Sequence, residues 1–447
     1  SISVFPKYRE SVVVSLVDKV MWFYEKVTGY SKEINYNLGK AAIYVFLFLL
    51  PWNFFKWQVS AFSIILLLWW VFRYKNIFLE RINQIFKFYP ILILLTYLLY
   101  TYISIFWSDS FIDGLDHVNQ FHKYYFIFIL VLFTTLNSQQ AFNGIKIIII
   151  SFSLYSLFSI CIYLGLFSIE STNSNELNPK GILAYAISSM YMAIGIITTF
   201  IIFISSKKMN KIFRISFFIF FILCFIALFV NNSRTSQLAF ILASLTLIVF
   251  YYKSSLFKLR NIIKVFLVTI LISGTMIIFL KNNDKLERYT LAYEETKKAL
   301  FEDDYTGSFG YRLYFNKAGI EILKDNFFFG MGPEDNTKEL EKLMLRDNPK
   351  YNFGYIFTSF HSQHMDILTR YGFFGYLLLF FSIISLLYTL RNNKIIFWIG
   401  LGFFITTFYG SFANVLLIKK PFNYIIICVF VLLSVISFKS NEKQKLE

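Results

Sequence analysis

Twelve apolar stretches follow one another along the chain, each near the length of about 20 residues that a helix needs to cross about 30 Å of hydrocarbon. They lie at 41–55, 58–72, 89–106, 122–136, 144–168, 182–205, 213–230, 236–252, 262–280, 366–390, 395–410 and 421–438. With 57% hydrophobic and only 16% charged residues, the composition excludes a water-soluble globule, and the 21% aromatic content excludes disorder. The predicted fold class is an all-α polytopic membrane protein with about 12 transmembrane helices. Because three stretches are short and Pro51 interrupts the first, ten or eleven spans with a re-entrant hairpin remain an alternative.

The distribution of charge predicts the orientation. The chain has 43 Lys and Arg against 27 Asp and Glu, a net charge of +16. With the amino terminus inside, 24 basic residues fall on the inner side, whereas the short outer loops hold few. Those few are Lys56, Lys123, Lys180, Arg234, Lys419 and Lys420. The positive-inside rule therefore predicts that both termini are cytoplasmic. The charge indicates contact with membrane lipid, and no nucleic acid partner is expected.

Five segments follow from this topology. Residues 1–40 are predicted to be a cytoplasmic amphipathic segment, because they lack the continuous apolar region of a cleavable signal. Spans one to nine occupy 41–280, a periplasmic loop occupies 281–365, spans ten to twelve occupy 366–438, and a cytoplasmic tail occupies 439–447. The loop is too long for a simple connector and has helical apolar spacing, so it is predicted to be a partly helical folded element.

All four histidines, His117, His122, His361 and His364, fall on the predicted outer side. Histidine is the side chain best suited to proton transfer near neutral pH. His361 and His364 open span ten at i, i+3 spacing, which predicts that they share one helix face. A metal site is not predicted, since only Asp366 is nearby as a third ligand. The structural alternative is an interfacial polar cap on the helix.

Three basic residues on the same side are candidates for binding an anion. Arg234 lies between two apolar runs at the outer interface, where an ionisable residue is usually functional, and lipid snorkelling is the alternative. Arg312 follows Gly307 in a glycine-rich stretch of the loop, where a structural role alone is common. Lys123 is expected at the membrane end of an amphipathic interfacial helix over 107–123, where it meets either phosphate or lipid.

Two other features indicate no chemistry. The acidic run 302–304 resembles an acidic metal motif, but a solvated loop face is favoured because no partner is evident in the sequence. Cys161, Cys224 and Cys428 lie in apolar runs without metal-ligand spacing, which favours small core residues over a disulfide framework or a zinc site.

The order of these motifs resembles the O-antigen ligases and O-antigen polymerases, membrane glycosyltransferases of the GT-C type. The matching pieces are Ser233-Arg234-Thr235, Arg312-Leu313, Phe329-Gly330-Met331-Gly332, and His361-Ser362 followed after nine residues by Gly372. The architecture of about twelve spans with a large loop before the last three matches as well. Two positions depart from the pattern. Phe stands where the family often has Pro ahead of the glycine turn, and Gly375 replaces the threonine of the stricter ligase motif.

The resemblance implies an inner-membrane enzyme with its active site facing the periplasm. It would transfer glycan from undecaprenyl pyrophosphate to lipid A-core by inverting, metal-independent transfer without a cofactor. His361 is implied as the general base, Arg234 and Arg312 as pyrophosphate ligands together with Lys123, and His364 as an accessory residue. A polymerase whose acceptor is a second lipid-linked repeat is the alternative. A flippase or other transporter is less favoured, because the predicted span interiors carry almost no charge.

Overall fold

The computed structural model describes residues 38–205, 210–231, 233–252 and 287–444. Fifteen α-helices account for most of these residues, which include two isolated β-bridges but no β-strand. Eight helical stretches in this part of the chain are long and apolar enough to cross a membrane, and two shorter apolar helices accompany them. The predicted all-α polytopic fold class is therefore confirmed.

The helices divide into a first membrane series, an inserted series and a last membrane series. The first series is α1 Leu38–Leu49, α2 Gln58–Tyr74, α3 Phe78–Ile85, α4 Tyr89–Ile103, α5 Phe111–Thr135, α6 Ser138–Tyr163, α7 Tyr185–Ser205, α8 Lys211–Val230 and α9 Arg234–Tyr252. The inserted series is α10 Glu287–Phe301, α11 Gly307–Asn326 and α12 Asp335–Tyr351. The last series is α13 Gln363–Leu390, α14 Lys394–Gly410 and α15 Lys420–Gln444. The ninth predicted span, 262–280, and residues 1–37 of the predicted amino-terminal segment lie outside the described residues.

Helices α7 and α15 form the centre of the bundle, because most of their apolar residues are buried. Helix α15 packs against α5 and α6, and α7 packs against α8 and α14. The Tyr191 ring of α7 stacks on Phe152, with centroids 4.7 Å apart, and on Phe422, with centroids 5.9 Å apart. The high aromatic content thus supplies large, well-packed contacts between the central helices.

The segment around the third and fourth predicted spans differs from expectation. A short 3-10 helix, Ser104–Trp107, extends α4, and Ser110 then caps α5 by accepting a hydrogen bond from the Asp113 N–H at 3.3 Å. Helix α5 runs without interruption through the predicted interfacial helix and the predicted span 122–136. The prediction of a separate interfacial helix is wrong, because this cap starts one continuous helix of 25 residues.

Residues 287–360, which we call the inserted element, have a hydrophobic core of their own. It is built from Ala299, Tyr305, Tyr314, Phe315, Ala318, Ile322, Leu340, Leu343, Met344, Tyr351, Phe353 and Phe360. Helix α11 contributes four of these residues at the helical spacing seen in the sequence. The inserted element is therefore folded around its own core, and it corresponds to the partly helical loop of the predicted fold class.

Helix α13 is broken at Gly372, whose φ of 66° and ψ of −172° are not helical. The turn formed by residues 327–332 of the inserted element fits into this break. The N–H groups of Phe373 and Phe374 donate to the carbonyls of Phe327 and Phe328, at 2.8 and 3.1 Å. Backbone groups that the break leaves without helical partners are therefore satisfied by the inserted element.

Hydrogen bonds donated by the inserted element to α13 complete the contact between them. Met331 N–H donates to the Thr369 carbonyl at 2.9 Å, and Gly332 N–H donates to the Arg370 carbonyl at 3.0 Å. A Cβ atom at Gly330 would lie 2.5 Å from the Arg370 carbonyl oxygen. Glycine is thus required where the two backbones approach each other.

Candidate functional site

The two predicted arginines meet at one residue of the inserted element. Arg234, the first residue of α9, donates from Nη2 to the Ser308 hydroxyl at 3.4 Å. Arg312, one turn further along α11 than Ser308, donates from Nη1 to the Ser308 carbonyl at 3.3 Å. The structure therefore places two guanidinium groups, one from the start of α9 and one from α11, beside each other.

The surroundings of Arg312 favour a bound anion. Burial lowers the pKa of its guanidinium and the Arg234 charge lowers it further, whereas Tyr185 and Glu295 act in the opposite direction. Its Nε atom is buried and has no hydrogen-bond partner among the described residues. A buried donor without a partner is costly, and two neighbouring cations repel each other. An anion placed between the two arginines would offset both costs.

His361 is held by aromatic residues of the inserted element. Its ring stacks on Phe315, with centroids 5.6 Å apart and an angle of 17° between the planes, and meets the edge of Phe357 at 5.5 Å. Phe315 lies three residues after Arg312 on α11, where side chains occupy neighbouring positions on the helix surface. One helix therefore presents Arg312 and supports His361 at the same time.

The charge environment of His361 favours its neutral form. Burial lowers the pKa of the imidazole, and the positive charges of Arg312 and Lys419 lower it further. A neutral imidazole at neutral pH accepts a proton, which suits a general base. Arg234, Arg312 and His361 thus form one candidate site, which we call the arginine–histidine site.

The predicted relation between His361 and His364 is wrong. Ser362 is the cap of α13, accepting a hydrogen bond from the Met365 N–H at 3.4 Å, and His361 precedes it with a left-handed φ of 49°. The two imidazoles therefore do not share a helix face. His364 is buried against α14, with Nε2 3.0 Å from the Phe408 carbonyl and Nδ1 3.1 Å from the Tyr376 hydroxyl. These contacts occupy both ring nitrogens in helix packing.

The structure does not bring Lys123 to the arginine–histidine site. The Lys123 side chain is exposed on α5, and its ammonium group lies 5.0 Å from the centre of the Tyr124 ring. Among the described residues, Lys123 does not contact Arg234, Arg312 or His361. The surroundings of Lys123 fit the interfacial anchoring that the sequence left open as an alternative.

The acidic run of the inserted element makes local contacts. Asp303 pairs with Lys350 at 3.2 Å, and Asp304 accepts hydrogen bonds from the backbone N–H and the hydroxyl of Thr306 at 2.9 and 2.6 Å. The last two acids of the run therefore fix the turn between α10 and α11. These local contacts agree with the solvated loop face that the sequence favours.

A buried ionic cluster was missed by the sequence reasoning. Arg370, 1% exposed, donates to Asp366 at 2.8 Å, and its Nη1 atom lies 3.8 Å from Glu334 and 3.3 Å from His117. The His117 Nδ1 and Glu334 Oε2 atoms are 2.5 Å apart. The sequence signal for this cluster is a lone arginine inside a predicted span, four residues after an acid.

The fold and the site define an all-α polytopic membrane protein in which an inserted helical element brings two arginines and a histidine together. A family model described as O-Antigen ligase matches residues 219–380, which begin within α8 and end within α13. Residues 219–380 are therefore similar to the O-antigen ligase family, and they contain Arg234, Arg312 and His361. Comparison with curated proteins gives no match.

Proposed function

We propose that the protein is an O-antigen ligase. It transfers glycan from undecaprenyl pyrophosphate to lipid A-core on the periplasmic face of the inner membrane. The match to the O-Antigen ligase family model supports glycosyl transfer at a membrane, with lipid-linked glycan and lipid A-core as the general substrates. The observation that carries the proposal is the meeting of Arg234, Arg312 and His361, which are far apart in the sequence.

In this proposal the two arginines hold the pyrophosphate of the donor. Guanidinium groups bind phosphate oxygens with two parallel hydrogen bonds, which fixes the orientation of the bound group. The Nε of Arg312, without a partner among the described residues, supplies one such donor. Both cations also stabilise the negative charge that develops on the leaving pyrophosphate. The arginines thus supply cationic stabilisation without a metal ion.

His361 acts as the general base. As an acceptor sugar hydroxyl attacks the anomeric carbon of the donor, the neutral imidazole takes the hydroxyl proton and the new carbon–oxygen bond forms. The bond from the anomeric carbon to the pyrophosphate oxygen breaks, and its electron pair leaves with undecaprenyl pyrophosphate. Direct displacement inverts the anomeric centre. A positioned base contributes about 10²- to 10⁴-fold to such a rate.

The test is reconstitution of the purified protein in liposomes with undecaprenyl-pyrophosphate-linked glycan and lipid A-core, without an energy source. Glycan joined to lipid A-core is the expected product. Longer lipid-linked glycan would instead identify a polymerase. Movement of the donor across the bilayer without a new covalent product would identify a flippase and overturn the proposed chemistry.

Variants of the arginine–histidine site test the assigned roles. We expect His361→Ala to keep donor affinity and to lose about 10²- to 10⁴-fold in transfer rate, and substantial residual transfer would refute the base assignment. We expect Arg312→Gln to weaken donor binding by about 10- to 100-fold, because a hydrogen bond to a charged group contributes about 1.5–3 kcal/mol. The control is Arg346→Gln, since Arg346 is an exposed arginine of the inserted element that pairs with Glu321. Equal donor affinity in the two arginine variants would contradict the pyrophosphate role.

A further inference from the structure

We propose that Arg370 is a positioning residue for the transfer reaction. With Asp366 it fixes the short helix of residues 363–371, which His361 and Ser362 precede, against residues 330–336 of the inserted element. This role rests on the proposed function, because it concerns the placement of the base. It is carried by contacts that lie apart from the arginine–histidine site.

Arg370 makes its contacts in a nearly dry environment. Its guanidinium donates from Nη2 to Asp366 at 2.8 Å, while Nη1 lies 3.8 Å from the Glu334 carboxylate. Both Arg370 and Asp366 are almost fully buried, at 1% and 2% exposure. A buried charge of this kind is tolerated only with close partners, and removal of one partner leaves the other charge uncompensated. The contact with Glu334 therefore ties the membrane helix to the inserted element.

A neighbouring amide strengthens the same contact. Asn336 donates from Nδ2 to the Asp366 carboxylate at 3.3 Å and to the Thr369 hydroxyl at 3.0 Å. On the other side, the Asp335 carboxylate accepts hydrogen bonds from the Ser108 hydroxyl at 2.7 Å and the Asp109 N–H at 2.8 Å. Residues 330–336 are thus held between the short helix and the connection from α4 to α5.

The short helix depends on such contacts because Gly372 separates it from the rest of α13. Its amino-terminal end is held by the segment that follows α14. The Gln363 N–H donates to the Ser411 carbonyl at 2.8 Å, and the Gln363 side chain accepts from the Leu417 N–H at 2.7 Å. Arg370 and Asp366 supply polar side-chain contacts toward the inserted element. Their loss would let the short helix shift, and His361 with it.

A shift of His361, the proposed base, would lower the rate of glycan transfer more than it would weaken donor binding. A misplacement of about 1 Å costs about 100-fold in rate when it disturbs the alignment of the reacting groups. Arg234 and Arg312 lie on α9 and α11, and no described contact joins either of them to Arg370. Loss of the Arg370 contacts should therefore lower the transfer rate and leave donor affinity nearly unchanged.

The experiment compares Arg370→Gln, Arg370→Lys and Glu334→Gln with Arg391→Gln, a control at the exposed other end of α13. Three quantities are measured: the maximal transfer rate, the donor dissociation constant, and hydrogen exchange of the Met331 and Gly332 amides. We expect Arg370→Gln to lower the rate by about 10- to 100-fold and to speed exchange, with the donor constant within about twofold of wild type. We expect the transfer rate of Arg370→Lys to lie between those of Arg370→Gln and wild type, because lysine keeps the positive charge but lacks the planar fork of donors.

Glu334→Gln keeps the test decisive if Arg370→Gln fails to fold, because Glu334 is 39% exposed and the change preserves its shape. It should change rate and exchange in the same direction by a smaller factor. Faster exchange with an unchanged rate would overturn the positioning role, as would unchanged exchange or a parallel loss of rate and donor affinity. If the wild-type protein transfers no glycan, the proposed function fails and this role with it. Faster hydrogen exchange of the Met331 and Gly332 amides in Arg370→Gln would then show that the Arg370 contacts stabilise the fold without a role in transfer.

Discussion

Substitution of Gly372 by alanine tests whether the break in α13 holds the inserted element in place. Gly372 has φ 66° and ψ −172°, a region of backbone conformation that is essentially restricted to glycine. A Cβ atom there would lie 2.3 Å from the Phe328 carbonyl oxygen and 2.5 Å from the Gly330 nitrogen. Both neighbours are backbone atoms, so rotation of a side chain cannot relieve the overlap.

The magnitude follows from these contacts. A residue other than glycine in this conformation costs about 1–3 kcal/mol. Relief of the overlap separates Phe373 and Phe374 from the Phe327 and Phe328 carbonyls, and each lost hydrogen bond costs about 1 kcal/mol. We therefore expect Gly372→Ala to destabilise the docked arrangement by about 3–5 kcal/mol.

The assay measures thermal unfolding in detergent together with glycan transfer. If the entropy of unfolding scales with chain length, this destabilisation lowers the unfolding midpoint by about 3–5 °C. Because residues 327–332 adjoin the short helix that follows His361, we expect transfer to fall at temperatures where the protein is still folded. The matched control is Gly354→Ala, whose Cβ would meet only the Tyr311 hydroxyl, at 3.8 Å.

Wild-type stability and transfer in Gly372→Ala would refute the reasoning, because the clash would then be absorbed without loss of docking. An equal loss in Gly354→Ala would also count against it, since that glycine has room for a methyl group. A loss confined to Gly372→Ala supports a backbone contact between α13 and the inserted element as the cause.

Two further outcomes test the site. Burial and the Arg312 charge lower the pKa of His361, so the base form should persist below pH 6.5 and transfer should fall only in more acidic solution. Arg312→Gln removes a positive charge, which raises the pKa of His361 and moves the acid limb of the rate profile to higher pH; an unmoved limb would contradict the electrostatic coupling. Lys123→Gln should leave donor affinity unchanged, because Lys123 contacts the Tyr124 ring instead of the arginines; weaker donor binding would restore its predicted role.

The spans were predictable because they depend on local composition. An apolar stretch of sufficient length satisfies its backbone hydrogen bonds within one helix, so its position needs no knowledge of its neighbours. The ends of the helices were less predictable, because caps decide them. Ser362 starts α13 after His361, and Ser110 starts α5 before the predicted span. In both cases a side-chain hydrogen bond fixes the start of the helix at a residue different from the one that hydropathy predicts.

Arg234, Arg312 and His361 were recognised by motif, but the sequence did not predict what brings them together. The Phe315 ring supports His361, and Ser308 joins the two arginines, and both lie in ordinary positions of α11. The spacing of α11 predicted a helix without showing which face would meet the membrane body. That information depends on long-range packing, which a single sequence does not display.

The same limit applies to Gly372 and Arg370. A glycine in an apolar helix is usually tolerated, and nothing adjacent to Gly372 indicates that the helix stops there. The break becomes favourable only because residues 327–332 supply the missing hydrogen bonds, and Arg370 is tolerated only because Asp366 and Glu334 offset its charge. Each feature is costly without its partner and stable with it. Costly local features inside predicted spans therefore point to docked segments elsewhere in the chain, and here they point to the inserted element that carries Arg312.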